Sequence, residues 1–311
     1  MRRGNERRRA CGITAPRRGW VAGPLALSVV LGACGGPPAA PEPPRAPELA
    51  AVSGAPLSVG LGAPLVALSA SPLGRGRLPE ALLVLTAEGV RRVQWSPLGL
   101  GPLADAIGAG DVEAPRGLDA TNGQDLYVAD GDRVLRFSDE GLLVQTLRVP
   151  AVDRLGVAAP EAAAPGEAVA VAAGPDGAVF VAEASRGAVQ VWQGGQLVDV
   201  LGGFESPLAL VVRGRRLFVL DRLTLHVRDT SGAPLASVSA AGALALAPLG
   251  DGVMRVSQRD VEAIAPGGDR LWRTPLVSAA PVLGAAVVGE TLFVLTPETL
   301  TAVGAVPRQR P

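Results

Sequence analysis

Histidine and thiol ligands are nearly absent from this sequence. Its 311 residues hold one histidine, His226, and two cysteines, Cys11 and Cys34. A protein zinc site draws three or four ligands mostly from His and Cys, and a serine triad here would depend on His226 alone. No Gly-x-Ser-x-Gly elbow occurs. Lysine is missing altogether, so all 29 basic residues are arginine, and asparagine occurs only as Asn5 and Asn122. With the excess of alanine, glycine and proline, the all-arginine usage reads as GC-rich coding rather than a functional choice. Aromatic residues make up only 3 % of the chain.

The N-terminus is arginine-rich (Arg2, Arg3, Arg7, Arg8, Arg9, Arg17 and Arg18) and runs into 14 apolar residues, 20–33. A helix needs about 20 residues to span a bilayer. A basic region, a short apolar region and small residues before a cut describe a secretory signal. The end of the run, Leu31-Gly32-Ala33-Cys34, resembles a bacterial lipobox, which implies that Cys34 is lipidated and becomes the mature N-terminus. The alternative is a plain secretory signal with an incidental cysteine; Arg17-Arg18 fits a twin-arginine signal poorly. The long basic region also leaves the true start codon open. Cys11 would be discarded with the signal, leaving no thiol for a disulfide, so burial alone must hold the fold. The roughly 277 residues that remain are ample for a core.

Seven arginines and one acid, Glu6, lie in residues 1–33, so the remainder carries 22 arginines against 28 acids, a net charge near −6. A nucleic-acid partner would call for a basic surface. Residues 34–48 hold the lipidated Cys34 and a proline-rich tether, extended at about 3.1 Å per residue. Residues 49–61 read as a lone strand with no partner of its own repeat.

What the sequence has in quantity is one repeated unit. Residues 82–86 (LLVLT), 126–130 (LYVAD), 179–183 (VFVAE), 217–221 (LFVLD), 253–257 (VMRVS) and 292–296 (LFVLT) share one pattern, four mostly apolar residues closed by a polar one. Each is followed by a short turn and a second strand. The span from 82 to 292 over five gaps gives 42 residues per repeat. Short strands at a period of roughly 40–50 residues indicate propeller blades. Both alternating faces of the unit are apolar, so both are covered; Arg255 breaks the pattern, which makes the fifth blade the least regular. The strand before each unit is small and apolar, as at 168–172 (AVAVA), which suits a crowded central channel. The expected fold is all-β: a six-bladed β-propeller over 49–306 and a tail at 307–311, behind a lipoprotein signal and tether.

Residues 115–141 (PRGLDATNGQDLYVADGDRVLRFSDEG) resemble an NHL repeat, with weaker copies at 165–195 and 207–232, and the stretch 269–294 is similar to quinoprotein-like propeller repeats. Such propellers mostly bind other molecules; some are hydrolases or lyases. Calcium-dependent lactonase-like members place Glu, Asn and Asp on a channel metal, whereas the expected channel strands here offer one carboxylate, Asp119. Calcium takes six to eight oxygen ligands. Zinc-dependent lyase-like members need histidines, and His226 lies on the third strand of its unit.

Thr86, Asp130, Glu183, Asp221, Ser257 and Thr296 close the six units and would ring one face. They form either a polar binding face or, more simply, caps on their own turns. Trp95, Trp192 and Trp272 read as blade-edge packing, and Arg213, Arg215 and Arg216 as a solvated turn. The insertion at 151–166 shares a face with the ring, where long loops usually carry binding.

The function expected is a non-enzymatic binding or scaffolding module, a monomer lipid-anchored in a bacterial envelope. It would have no cofactor or metal and would meet an envelope protein or small ligand. Gly35 rather than aspartate after Cys34 points to the outer membrane of a Gram-negative host. The alternatives are a lactonase-like hydrolase or lyase, or a helper in outer-membrane protein assembly.

Overall fold

The computed structural model describes residues 64–305 except 72–80, 97–98, 122–124, 153–164, 277 and 279, all within the compact unit Arg45–Pro311. Cys34, the signal, the tether, the strand expected at 49–61 and the tail at 307–311 lie outside the described residues.

Six antiparallel sheets make up the fold, and it is a six-bladed β-propeller. Blade one is β1 (Leu65–Ser71), β2 (Ala81–Thr86), β3 (Gly89–Ser96) and β4 (Gly99–Leu103). Blade two is β5 (Pro115–Ala120), β6 (Leu126–Asp130), β7 (Arg133–Phe137) and β8 (Leu143–Arg148). Blade three is β9 (Ala168–Ala173), β10 (Ala178–Glu183), β11 (Ala188–Gln193) and β12 (Gln196–Leu201). Blade four is β13 (Ala209–Arg213), β14 (Arg216–Leu220), β15 (Thr224–Asp229) and β16 (Pro234–Ser239). Blade five is β17 (Ala243–Leu249), β18 (Gly252–Ser257), β19 (Asp260–Ile264) and β20 (Arg270–Pro275). Blade six is β21 (Gly284–Val288), β22 (Thr291–Leu295) and β23 (Leu300–Ala305) among the described residues. The innermost strands pack one on the next, β1 on β5, β5 on β9, and round to β21 on β1, which closes the ring.

The second strand of each blade shows why both of its faces must be apolar. Successive side chains on a strand point to opposite faces. On β2, Leu83 and Leu85 join the core shared with blade two, and Leu82 and Val84 the core shared with blade six. On β14, Leu217 and Val219 face blade three while Phe218 and Leu220 face blade five. The core is thus six clusters, one at each blade-to-blade interface. Each fully buried leucine or phenylalanine in them contributes roughly 1.5–3 kcal/mol.

Small residues on the inner strands follow from ring closure. A Cβ on Gly284 would stand 2.9 Å from the Leu68 backbone nitrogen, and one on Gly117 would stand 3.0 Å from the Val169 carbonyl oxygen. The first is closer than a Cβ comes to its neighbours and the second is tight enough to push its neighbour aside, so glycine suits both blade junctions.

The structure differs from the sequence reading at two places. Blade one has a fourth strand, β4, that its Gly-Leu-Gly-Pro-Leu sequence hides; proline and glycine suit an outer edge, where one N–H faces away from the sheet. Blade five is as regular as its neighbours despite Arg255. That side chain is 6 % exposed and lies at the interface with blade four, where its Nη1 donates to the Ser239 carbonyl at 3.1 Å. Its Nη2 sits 2.6 Å from Glu262 Oε2 on β19. Arg270 and Arg273 on β20 complete the network around Glu262, at 3.2 and 3.4 Å.

Candidate functional site

The six polar residues that close the second strands are all 9 % exposed or less. Thr86 Oγ1 donates to the Gly89 carbonyl at 2.9 Å and accepts from the Glu88 N–H. Ser257 and Thr296 hold their turns in the same way, through Asp260 and Thr299. The two aspartates reach further. Asp130 Oδ1 accepts from the backbone N–H of Glu113 and Ala114, on the link entering its blade, and its Oδ2 accepts from Arg133 Nε. Asp221 accepts from the N–H groups of Glu205, Ser206 and Arg222. Burial pushes the Asp221 pKa up, but these backbone hydrogen bonds outweigh it and hold the carboxyl below the usual range. Glu183 accepts from Gln190 Nε2 at 3.1 Å and pairs with Arg186 at 3.3 Å, while burial pushes its pKa up. On this face the polar atoms are engaged by the fold itself. Of the 151–166 insertion beside them, 153–164 lie outside the described residues.

At the opposite end of the ring a cavity of about 910 Å³ occupies the channel, lined by the last residues of the six inner strands and, among the described turns, by Pro175, Asp176, Gly177, Gly214, Gly250 and Gly289. Its inner wall is aliphatic, with Leu68, Leu118, Leu210, Leu246 and Ala285 each supplied by a different blade. None of the described lining residues is aromatic. Its polar groups are few: chiefly Ser69, Asp119, Thr121 and Arg213, with Asp125 and Asp176 in the turns.

Asp119 is the central one. Ser69 Oγ of blade one donates to its Oδ1 at 3.2 Å, and the Ala173 N–H of blade three donates to its Oδ2 at 2.9 Å. The carboxyl therefore bridges three blades. Protein surrounds it on every side but the cavity, and that burial raises its pKa to about 6 against the pull of the Ala173, Ala120 and Ser69 hydrogen bonds and the Arg213 charge. Arg213, at the end of β13, donates from Nε to the Gly250 carbonyl of blade five at 3.2 Å. Asp125 is neutralised by Arg136 at 2.9 Å. Asp176 stands in a turn with φ of 57°, a left-handed conformation that aspartate tolerates better than most residues.

No protein-family model matches this sequence, and no curated protein does. Solved structures do match its fold. A catalytically inactive variant of virginiamycin B lyase from Staphylococcus aureus, determined with quinupristin, has a TM-score of 0.53 at 13 % identity, over 78 % of this chain and 80 % of that one. A streptogramin B lyase has a TM-score of 0.55 at 8 % identity, over 81 % of this chain and 97 % of that one. What the likeness shows is the fold.

The remaining sequence candidates take structural places. His226 lies between Ser237 and Asp221, its Nδ1 3.2 Å from Ser237 Oγ and its Nε2 3.6 Å from Asp221 Oδ2. The second distance is beyond hydrogen-bond reach, the Asp221 oxygens are taken by three backbone donors, and the ring meets Phe204 edge-on at 5.4 Å. This is packing in the outer half of blade four. Trp95 meets Phe293 edge-on at 5.0 Å, Trp192 is buried, and Trp272 packs against the core between blades five and six. Of the three turn arginines, Arg216 caps the Pro266 carbonyl, and Arg213 lines the cavity. Among the described residues no three His, Cys, Asp or Glu side chains are grouped as metal ligands, and no helix is long and apolar enough to cross a membrane.

Proposed function

We propose that the protein is a binding module whose ligand site is the channel mouth on the tight-turn face, displayed on a bacterial envelope membrane by a lipid on Cys34. The observation that carries this reading is the cavity: concave, set within a closed ring, and lined by aliphatic side chains together with convergent polar groups. That combination is what small-molecule sites share. The test is a fragment screen on the full-length protein by ligand-observed NMR, repeated on Val212→Trp, which places an indole on the cavity wall. Fragments that bind the wild type and are lost from a folded Val212→Trp support the reading. Fragments bound equally by both proteins overturn it.

One observation favours a second reading, a lyase or hydrolase. A carboxyl with a pKa of about 6 in a concave site is what a general base requires, and the fold is similar to that of two streptogramin-type lyases. Incubation of quinupristin with the purified protein separates the two readings. A new chromatographic product, of unchanged mass for an elimination that opens a ring or heavier by one water for a hydrolysis, that disappears in Asp119→Asn favours the enzyme, and unchanged quinupristin after prolonged incubation counts against a lyase of this type.

A further inference from the structure

The channel mouth has an imbalance of charge as well as a shape. Of the four ionisable side chains among its described residues, Asp125 is already paired with Arg136. That leaves Asp119 and Asp176 against Arg213, an excess of one negative charge. Asp119 is the recessed one, set in the wall where blades one, two and three meet. Ser69 and Ala173 occupy part of its hydrogen-bonding capacity, and a carboxylate accepts at about four positions. The remaining capacity faces the cavity.

We infer that the cavity binds a small organic cation, a primary amine whose ammonium group sits against Asp119 and whose apolar body lies on the aliphatic inner wall. This rests on the channel mouth being the ligand site, and it names the class of ligand. The argument is one of elimination by charge. An anion would meet Asp119 directly. A neutral apolar molecule would displace water from the carboxylate and give it no partner, which costs free energy. A bare metal ion would leave the leucine wall unused, and among the described residues no metal-ligand group of three surrounds Asp119. An ammonium donates three N–H bonds, more than enough for the acceptor capacity that remains, and its carbon body covers Leu118 and Leu210.

The experiment is isothermal titration of the full-length protein with three compounds of one shape: 2-phenylethylamine, 2-phenylethanol and 3-phenylpropanoate. At pH 7.5 the amine is expected to bind at least about 10-fold tighter than the other two. Because Asp119 takes up a proton near pH 6, amine affinity should fall about 10-fold at pH 5, while the alcohol is unaffected. Asp119→Asn, checked for a cooperative unfolding transition, should abolish both the preference and its pH dependence. If that variant does not fold, the wild-type comparison at the two pH values decides. Equal affinity for the amine at pH 5 and 7.5, or no amine binding at all, overturns the inference. Tight binding of the alcohol or the propanoate, lost in Val212→Trp, also overturns it while leaving the channel mouth as the site.

Discussion

Asp119 has a folded pKa of about 6 against an ordinary value of 3.8. The native state therefore holds more protons than the unfolded chain between those two values. Stability from this group is fully present below about pH 4, declines as pH rises to about 6, and is level above. Asp119→Asn removes the charge and can still accept from Ala173 and donate to Ser69. It should raise stability at pH 7.5 by roughly 1–3 kcal/mol and leave little difference from wild type at pH 4, as measured by urea unfolding at both pH values. A constant difference across that range would rule the argument out. Arg255 supplies the opposite case, a buried charge held by partners on two further strands. Arg255→Met leaves Glu262 buried beside two half-exposed arginines and should cost about 3–5 kcal/mol, whereas Arg255→Met with Glu262→Leu should recover most of it. A double-mutant cycle with no coupling between the two positions would contradict this.

Among the elements, the second strand of each blade is the repeated load carrier, and the first strand is the one that sets the ring. The fourth strands are the variable part. Five sheets have one, and among the described residues β23 has no strand paired on its outer edge. An unpaired edge in a closed ring is a weak point. In the other blades the link from a fourth strand to the next first strand runs from 3 residues, between β16 and β17, to 19, between β8 and β9. The strand expected at 49–61 would reach β1 through 3 residues, inside that range. Its deletion should therefore lower the thermal midpoint of the whole domain by roughly 5–10 °C. An unchanged calorimetric transition in the deletion would show that some other segment closes blade six.

For the whole molecule, the two faces of the ring differ. On one, the closing residues from Thr86 to Thr296 are buried and engaged in holding turns and links. On the other, the channel holds a cavity lined by the ends of the inner strands. The reading of the insertion as the binding face therefore has a rival on the opposite side. A tether at Cys34 would set which face meets the membrane, and the anchor has its own test. In bacteria expressing the full chain, Cys34→Ala should abolish incorporation of labelled palmitate and leave the signal uncleaved. Label entering the variant at wild-type levels would refute lipidation at that residue. A single acyl chain holds a protein only marginally and two or more hold it stably, at about 0.8 kcal/mol per buried CH₂.

The sequence by itself determined the repeat and the class of fold. Strand alternation and turn chemistry act between near neighbours, so a pattern such as Leu126-Tyr127-Val128-Ala129-Asp130, met six times at intervals of 36 to 53 residues, specifies six sheets before any contact is known. It also announced small inner strands, since crowding at a channel follows from the architecture. What only the tertiary structure decided depends on residues far apart in the chain. Asp119 draws its partners from Ser69 and Ala173, 50 and 54 residues away, and its charge state follows from that enclosure. Arg255 reads as a flaw in a strand until Glu262 and Ser239 are brought to it. The Gly-Leu-Gly-Pro-Leu of β4 has almost no strand propensity of its own and is a strand because β3 offers it an edge. The cavity between the ends of the inner strands is likewise a property of how six blades meet, which no single repeat encodes.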